Sequence, residues 1–290
     1  MKKVFFVIAI LALTIFLITG CEKKNNDSNK FRIVTSFYPM YIMTQNIAGE
    51  IEEVSIDNMT QQTVGCLHNY TLKTSDLMKI ENANVFVANG LGIESFINKI
   101  TETYSNVDVI IASDNIKDLI EEDNETNAHI WLSTNKYINE IDNIKNKLAS
   151  LDANNSEKYN KNAEEYKKRI KNLKEKIKNS NLENKKCISF SESLAYLKED
   201  FNLDIFTIET DHEQNGLSAE TLSNIIEYVK SNNIKSILVD SQTAQNNAKI
   251  VANETGAKVY VLNSGLNGEN SKNAYIEAME ENLKIVESME

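Results

Sequence analysis

Cysteine, histidine and proline are scarce in this chain of 290 residues, which holds three, three and one of them. Three cysteines, at positions 21, 66 and 187, cannot supply the dense disulfide framework of a small secreted scaffold. Cys66 and Cys187 either pair with each other or serve as small buried apolar groups. Basic residues are also in deficit, with 31 Lys and Arg against 42 Asp and Glu and a formal net charge of −11. That balance argues against nucleic acid and anionic lipid headgroups as ligands and suits a cation. Catalytic signatures are missing too. There is no HExxH, and no glycine-rich phosphate loop ending in lysine. Ser191, in Phe190-Ser191-Glu192-Ser193, lacks the flanking glycines of a nucleophile elbow. A binding protein therefore fits better than an enzyme. The lone Pro39 and the many Asn and Lys residues describe composition rather than function.

The chain opens with Met1-Lys2-Lys3, an apolar run from Val4 to Ile18 broken only by Thr14, and then Thr19-Gly20-Cys21. A basic start, an apolar stretch and small residues before a cysteine resemble a bacterial lipoprotein signal. Residues 1–20 are thus expected to be a removed signal peptide, with Cys21 lipidated and tethering the chain to the outer face of the cytoplasmic membrane. Residues 21–30, including EKKNNDSNK, are polar and charged and read as a flexible tether. Roughly 270 residues remain, with 41% hydrophobic residues in the whole chain, enough for two modest domains or one large one.

Short apolar runs then alternate with helical periodicity. NVFVA (residues 84–88) and VDVIIA (107–112) carry consecutive apolar residues, as strands buried on both faces do. A helix is expected over 75–82, with Ser75 as its cap and Asp76 in the first turn. Between residues 155 and 180, Tyr159, Ala163, Tyr166, Ile170, Leu173 and Ile177 form one apolar stripe on a charged helix. At about 1.5 Å per residue it spans roughly 39 Å, the width of a domain. The alternation restarts with strands expected over 186–190, 203–208, 236–239 and 258–262. Their intervening helices include 193–200, 218–232 and 244–254. The fold class is α/β, with two lobes of about four parallel strands flanked by helices and bridged by one long helix. The first lobe covers residues 31–154, the linking helix 155–180 and the second lobe 181–290.

Two of the three histidines, His68 and His129, sit in loops leading into helices, where α/β proteins place ligands. Neutral imidazole binds zinc and related metals. The surrounding segments carry more. VTSFYPMY (34–41), GCLHNYTLKTSDLMKIENANVFVANGLGIESF (65–96) and NAHIWLS (127–133) resemble the metal-binding lipoproteins that feed zinc and manganese ABC importers. SFSESLAYLKEDFNLD (189–204), GLSAETLSNII (216–226) and ETGAKVYVLNSGLNG (254–268) extend the resemblance over nearly the whole mature chain.

The resemblance implies a receptor, acting as a monomer, that captures Zn2+ or, next, Mn2+ between its lobes for an ABC permease in the cytoplasmic membrane. Some relatives are also described as adhesins. His68 and His129 match the family's first-lobe ligands. The second-lobe pair departs from the pattern. Ser191 stands where a histidine or glutamate is expected, five residues before Tyr196, and Asn263 stands where an aspartate follows the last strand. Glu192, one position along, His212 in the loop Thr210-Asp211-His212-Glu213, Cys66 or water are open as substitutes. The acidic stretch 120–125 reads as a solvated loop that gathers cations at most weakly. A cleft retuned to a chelated or non-metal ligand is the alternative.

Overall fold

The computed structural model describes residues 30–60, 67–122, 125–208, 217–240 and 242–290. The expected signal peptide, the lipidation site Cys21, almost all of the tether, Cys66 and His212 lie outside the described residues. No helix among the described residues is long and apolar enough to cross a membrane.

Two four-stranded parallel sheets organise the chain. In the first, β1 (Phe31–Thr35) is flanked by β2 (Val54–Asn58) and β3 (Val85–Ala88), with β4 (Asp108–Ile111) beyond β3. Where a solvated loop is expected, β5 (Glu121–Glu122) and β6 (Glu125–Thr126) form a small antiparallel pair. Thr126 helps to tie it, its hydroxyl donating to Glu121. In the second sheet, β7 (Lys185–Ser189) lies between β8 (Leu203–Thr207) and β9 (Ser236–Val239), and β10 (Lys258–Val261) forms the far edge. Both sheets share one topology, in which the second strand precedes the first, third and fourth in space. Each therefore has a switch point between its first and third strands, above whose carboxyl ends α/β proteins bind ligands. The consecutive apolar residues of VFVA are explained by burial of all four positions in β3, whereas β4 is an edge strand that buries only Ile110, so the run over 107–112 is not buried on both faces along that strand.

The helices follow the apolar periodicity, with corrections at their ends. The first, α1 (Tyr38–Ala48), carries Pro39 in its first turn, where its missing N–H costs nothing. The next, α2 (Thr74–Glu81), is capped at Lys73 rather than Ser75. Asp76 closes that end by accepting the Lys73 backbone N–H at 2.8 Å. A short helix, α3 (Ile97–Thr103), has no counterpart in the sequence reading. It buries only Ile100, too little to leave a periodic signal. The helix α4 (Thr134–Leu151) is capped by Ser133, whose hydroxyl accepts the Lys136 N–H. The linking helix α5 (Ser156–Asn179) has 24 residues, about 36 Å, and all six residues of its apolar stripe are buried.

In the second lobe the helix expected over 193–200 is a 3-10 turn, Glu192–Leu197, followed by one α turn, α6 (Lys198–Phe201). Five consecutive buried residues, Ser193 to Leu197, leave no solvent face for an amphipathic α-helix. Then come α7 (Ala219–Ser231), α8 (Gln242–Thr255) and α9 (Ala274–Glu287). Residues Phe31–Glu290 form one compact unit. A continuous core runs from the first sheet through the stripe of α5 to Tyr196, Phe201 and Leu283. A separate cluster, with Ile188, Val239 and Val251, fills the other side of the second sheet.

Candidate metal centre

The carboxyl end of the first sheet is ordered by a buried carboxylate. Glu94 accepts the Ser36 hydroxyl at 2.7 Å and the backbone N–H groups of Asn89 and Gly90 at 2.8 and 2.9 Å. Burial pushes its carboxyl up, and these bonds oppose the rise. Asn89, so held, donates from Nδ2 to the Ala128 carbonyl at 3.1 Å, fixing the segment that presents His129.

His129 is 2% exposed and precedes the 3-10 turn Ile130–Leu132 that leads into α4. Its ring lies 5.1 Å from that of Trp131, whose indole N–H is anchored on the Ser264 carbonyl at 2.9 Å. Asn127 Oδ1 accepts the His129 backbone N–H at 3.0 Å, an Asx turn, and lies 3.0 Å from His129 Nδ1. His68 follows the buried Leu67 on the loop into α2. The turn is closed by Tyr70 N–H on the Leu67 carbonyl, and the Tyr70 hydroxyl donates to Asp76 at 2.7 Å. The two imidazole rings are 5.6 Å apart between centroids, tilted by 42°.

Glu192 enters from the second lobe as the first residue of its 3-10 turn. One potential ligand atom from each of His68, His129 and Glu192 lies within 4.8 Å of the others. In a tetrahedral site with bonds of about 2.1 Å, ligand atoms lie about 3.4 Å apart. The three ligand atoms thus need to close on one another by about 1.4 Å at most. The set offers two imidazole nitrogens and one carboxylate, a combination found around zinc with a fourth position left open.

The other candidates are engaged differently. The Ser191 hydroxyl is 2.7 Å from that of Ser193, which donates to Asp240 at 2.7 Å, just beyond β9. The Asn263 side chain accepts the Gly265 N–H at 2.9 Å and donates to Glu281 at 3.4 Å. Asn263 also borders a cavity of about 200 Å³ beside Tyr38, Trp131 and Tyr275. Either residue would have to exchange these bonds to serve a metal. Cys187 is buried and has no disulfide partner among the described residues, and burial first, then the nearby Asp204 charge, pushes its thiol up to about 12.

Two residues at the lobe junction were missed in the sequence. Asn127 donates from Nδ2 to the Glu192 carbonyl at 3.0 Å. The fully buried Tyr196 donates its hydroxyl proton to the Asn127 carbonyl at 3.0 Å and accepts the Ile120 N–H at 2.9 Å. An Asn two residues before His129 is the one local signal, since that spacing favours an Asx turn. Further along the junction, Thr134 N–H and hydroxyl both donate to Asp200 at 2.7 Å, and Lys136 pairs with Glu199 at 2.6 Å.

A family model for the zinc-uptake complex component A periplasmic proteins (ZnuA) matches residues 33–289. The manganese-binding lipoprotein MntA of Halalkalibacterium halodurans is 28% identical, over 98% of this chain and 97% of that protein. The zinc-binding lipoprotein AdcA of Streptococcus pneumoniae is 26% identical over 99% of this chain, which spans only 60% of AdcA. The crystal structure of the Zn(II)-bound ZnuA-like domain of AdcA matches with a TM-score of 0.76 at 26% identity, covering 90% of this chain and 98% of that one. Matched from the first strand to the end of the last helix, the chain belongs to the ZnuA family of metal-uptake binding proteins.

Proposed function

We propose that this protein captures one divalent transition metal ion between its lobes and delivers it to the permease of an ABC importer. The observation that carries the reading is the convergence of His68 and His129 from the first lobe with Glu192 from the second. Zinc is the favoured metal, because two imidazoles and one carboxylate suit a tetrahedral ion with a fourth, exchangeable position. Manganese is next, since it accepts carboxylate, imidazole and water at higher coordination number. Water, or Ser191 or Asn263 after a change of hydrogen-bond partner, completes the shell. The zinc-binding and manganese-binding relatives support both metals. We read the chain as a binding protein rather than an enzyme, acting as a monomer outside the cell membrane. Lipidation of Cys21 would hold it at the outer face of the cytoplasmic membrane, beside the permease.

Ligands from both lobes make capture a closure event, and release requires Glu192 to part from the histidines. Competition titration of chelator-stripped protein with Zn2+ and Mn2+ tests the assignment. Glu192→Gln keeps the size of the side chain and removes the anionic ligand, so its zinc affinity should fall at least tenfold. Equal affinity in Glu192→Gln and the unaltered protein would remove Glu192 from the site.

A further inference from the structure

We propose that Asn127 is a positioning residue that ties the proton position on His129 to the seating of the second lobe. The proposal rests on the metal-capturing reading above and adds how the two lobes govern the same site.

The orientation of the Asn127 amide is fixed from both ends. A backbone N–H can only donate, so the atom receiving the His129 N–H at 3.0 Å is the oxygen, Oδ1. The other terminus is then the NH2 group, and it donates to the Glu192 carbonyl at 3.0 Å. His129 Nδ1 lies 3.0 Å from the same Oδ1, an atom that only accepts, so Nδ1 carries the ring hydrogen. In the neutral ring the lone pair therefore sits on Nε2, the nitrogen able to coordinate a metal. Asn127 is 5% exposed, so bulk water does not substitute readily for these partners.

The second lobe grips Asn127 twice, and both contacts come from the 3-10 turn Glu192–Leu197. Glu192 holds the side-chain amide through its carbonyl, and Tyr196 holds the main-chain carbonyl through its hydroxyl. The turn that carries the second-lobe ligand thus also keeps the first-lobe ligand in its metal-binding tautomer. When the turn withdraws, Asn127 loses its bond to the Glu192 carbonyl and the Tyr196 bond, while the Asx bond and the Asn127 N–H bond to the Ile120 carbonyl at 2.8 Å stay within the first lobe. The Asn127 amide is then anchored at one end instead of two, and its hold on the Nδ1 hydrogen of His129 weakens. Lobe separation removes one ligand and loosens another in the same movement, which sharpens release.

The test uses ring-nitrogen NMR of 15N-histidine-labelled, metal-free protein at pH 8, with the His129 signals assigned by His129→Ala. The unaltered protein should show His129 as the Nδ1–H form. Asn127→Ala should shift it toward a mixture with the Nε2–H form and lower zinc affinity by about 10–100-fold, the usual cost of removing an outer partner of a ligand. Asn127→Asp should keep the Nδ1–H form, because a carboxylate still accepts from the ring. It faces the Glu192 carbonyl with no donor, so amide exchange over residues 192–197 should accelerate. An Asn127→Ala protein with His129 still wholly Nδ1–H, or with zinc affinity within twofold of the unaltered protein, overturns the proposal. So does an Asn127→Asp protein with unchanged exchange over 192–197. A tautomer shift in Asn127→Ala alongside no zinc binding by the unaltered protein would uphold the positioning role and reject the metal reading instead.

Discussion

Glu140 offers a sharp test of the interior. It lies on α4, is fully buried, and neither carboxyl oxygen has a hydrogen-bond partner among the described residues. Burial first, and the Glu94 charge second, hold its carboxyl well above the usual carboxylate range. Glu94 is better placed to carry the charge of this pair, because three donors converge on it. The folded protein therefore keeps a proton on Glu140 that the unfolded chain releases above its ordinary value near 4.5. Wherever the folded state binds the extra proton, stability falls as pH rises, by up to about 1.4 kcal/mol per pH unit. Glu140→Met retains length and removes both orphan oxygens. At pH 5 it should stabilise the fold by about 1–3 kcal/mol, the cost of a buried unsatisfied polar group. The gain should widen as pH rises toward 8, until the folded-state value is reached. Urea unfolding of metal-free protein, followed by the fluorescence of the single, fully buried Trp131, reads both quantities. Groups that titrate in both proteins cancel in the difference. A destabilised Glu140→Met with the same pH slope as the unaltered protein would refute the reasoning and mean that Glu140 is satisfied in the fold.

Further outcomes follow from the lobe junction and the core. Asp200 takes two donors from the first residue of α4, so Asp200→Ala should cost about 2–4 kcal/mol in the same urea assay. A cost below about 0.5 kcal/mol would mean that this tie contributes little. The Cys187 thiol, raised to about 12, should resist iodoacetamide in the native protein at pH 8 and react after unfolding, as read by peptide mass spectrometry. Native-state labelling as rapid as that of the unfolded chain would contradict its burial.

Much of the fold is legible because its strongest signals are local. VFVA announces a central strand by having no polar face, and the six-residue stripe of α5 announces a helix packed on one side only, whereas the similar run over 107–112 forms an edge strand because its neighbours, not its composition, set its burial. The bounds expected for strand 236–239 coincide with β9. What escaped depends on contacts distant in sequence. The 3-10 turn 192–197 is set by burial of all but its first residue between lobes, and α3 is too short to show a period. Asp76 was legible in the first turn of α2, but the cap residue itself was displaced by two positions. In the site, His68 and His129 stand out because histidine is rare here and the surrounding segments resemble a known family. Glu192 was one of several open substitutes until the turn brought it beside them. Asn127 and Tyr196 act across 65 and 69 residues of sequence, a separation at which periodicity carries no information.

The most direct test of the account is the metal content of the soluble chain from Glu22 onward, measured by inductively coupled plasma mass spectrometry and followed by zinc titration after chelation. His68→Ala, His129→Ala and Glu192→Ala should be measured beside it. The account predicts one tightly held equivalent of zinc or manganese per unaltered chain, with affinity reduced at least tenfold in each variant. Failure of the unaltered protein to hold any divalent transition metal tightly, or binding that survives all three substitutions, would contradict it.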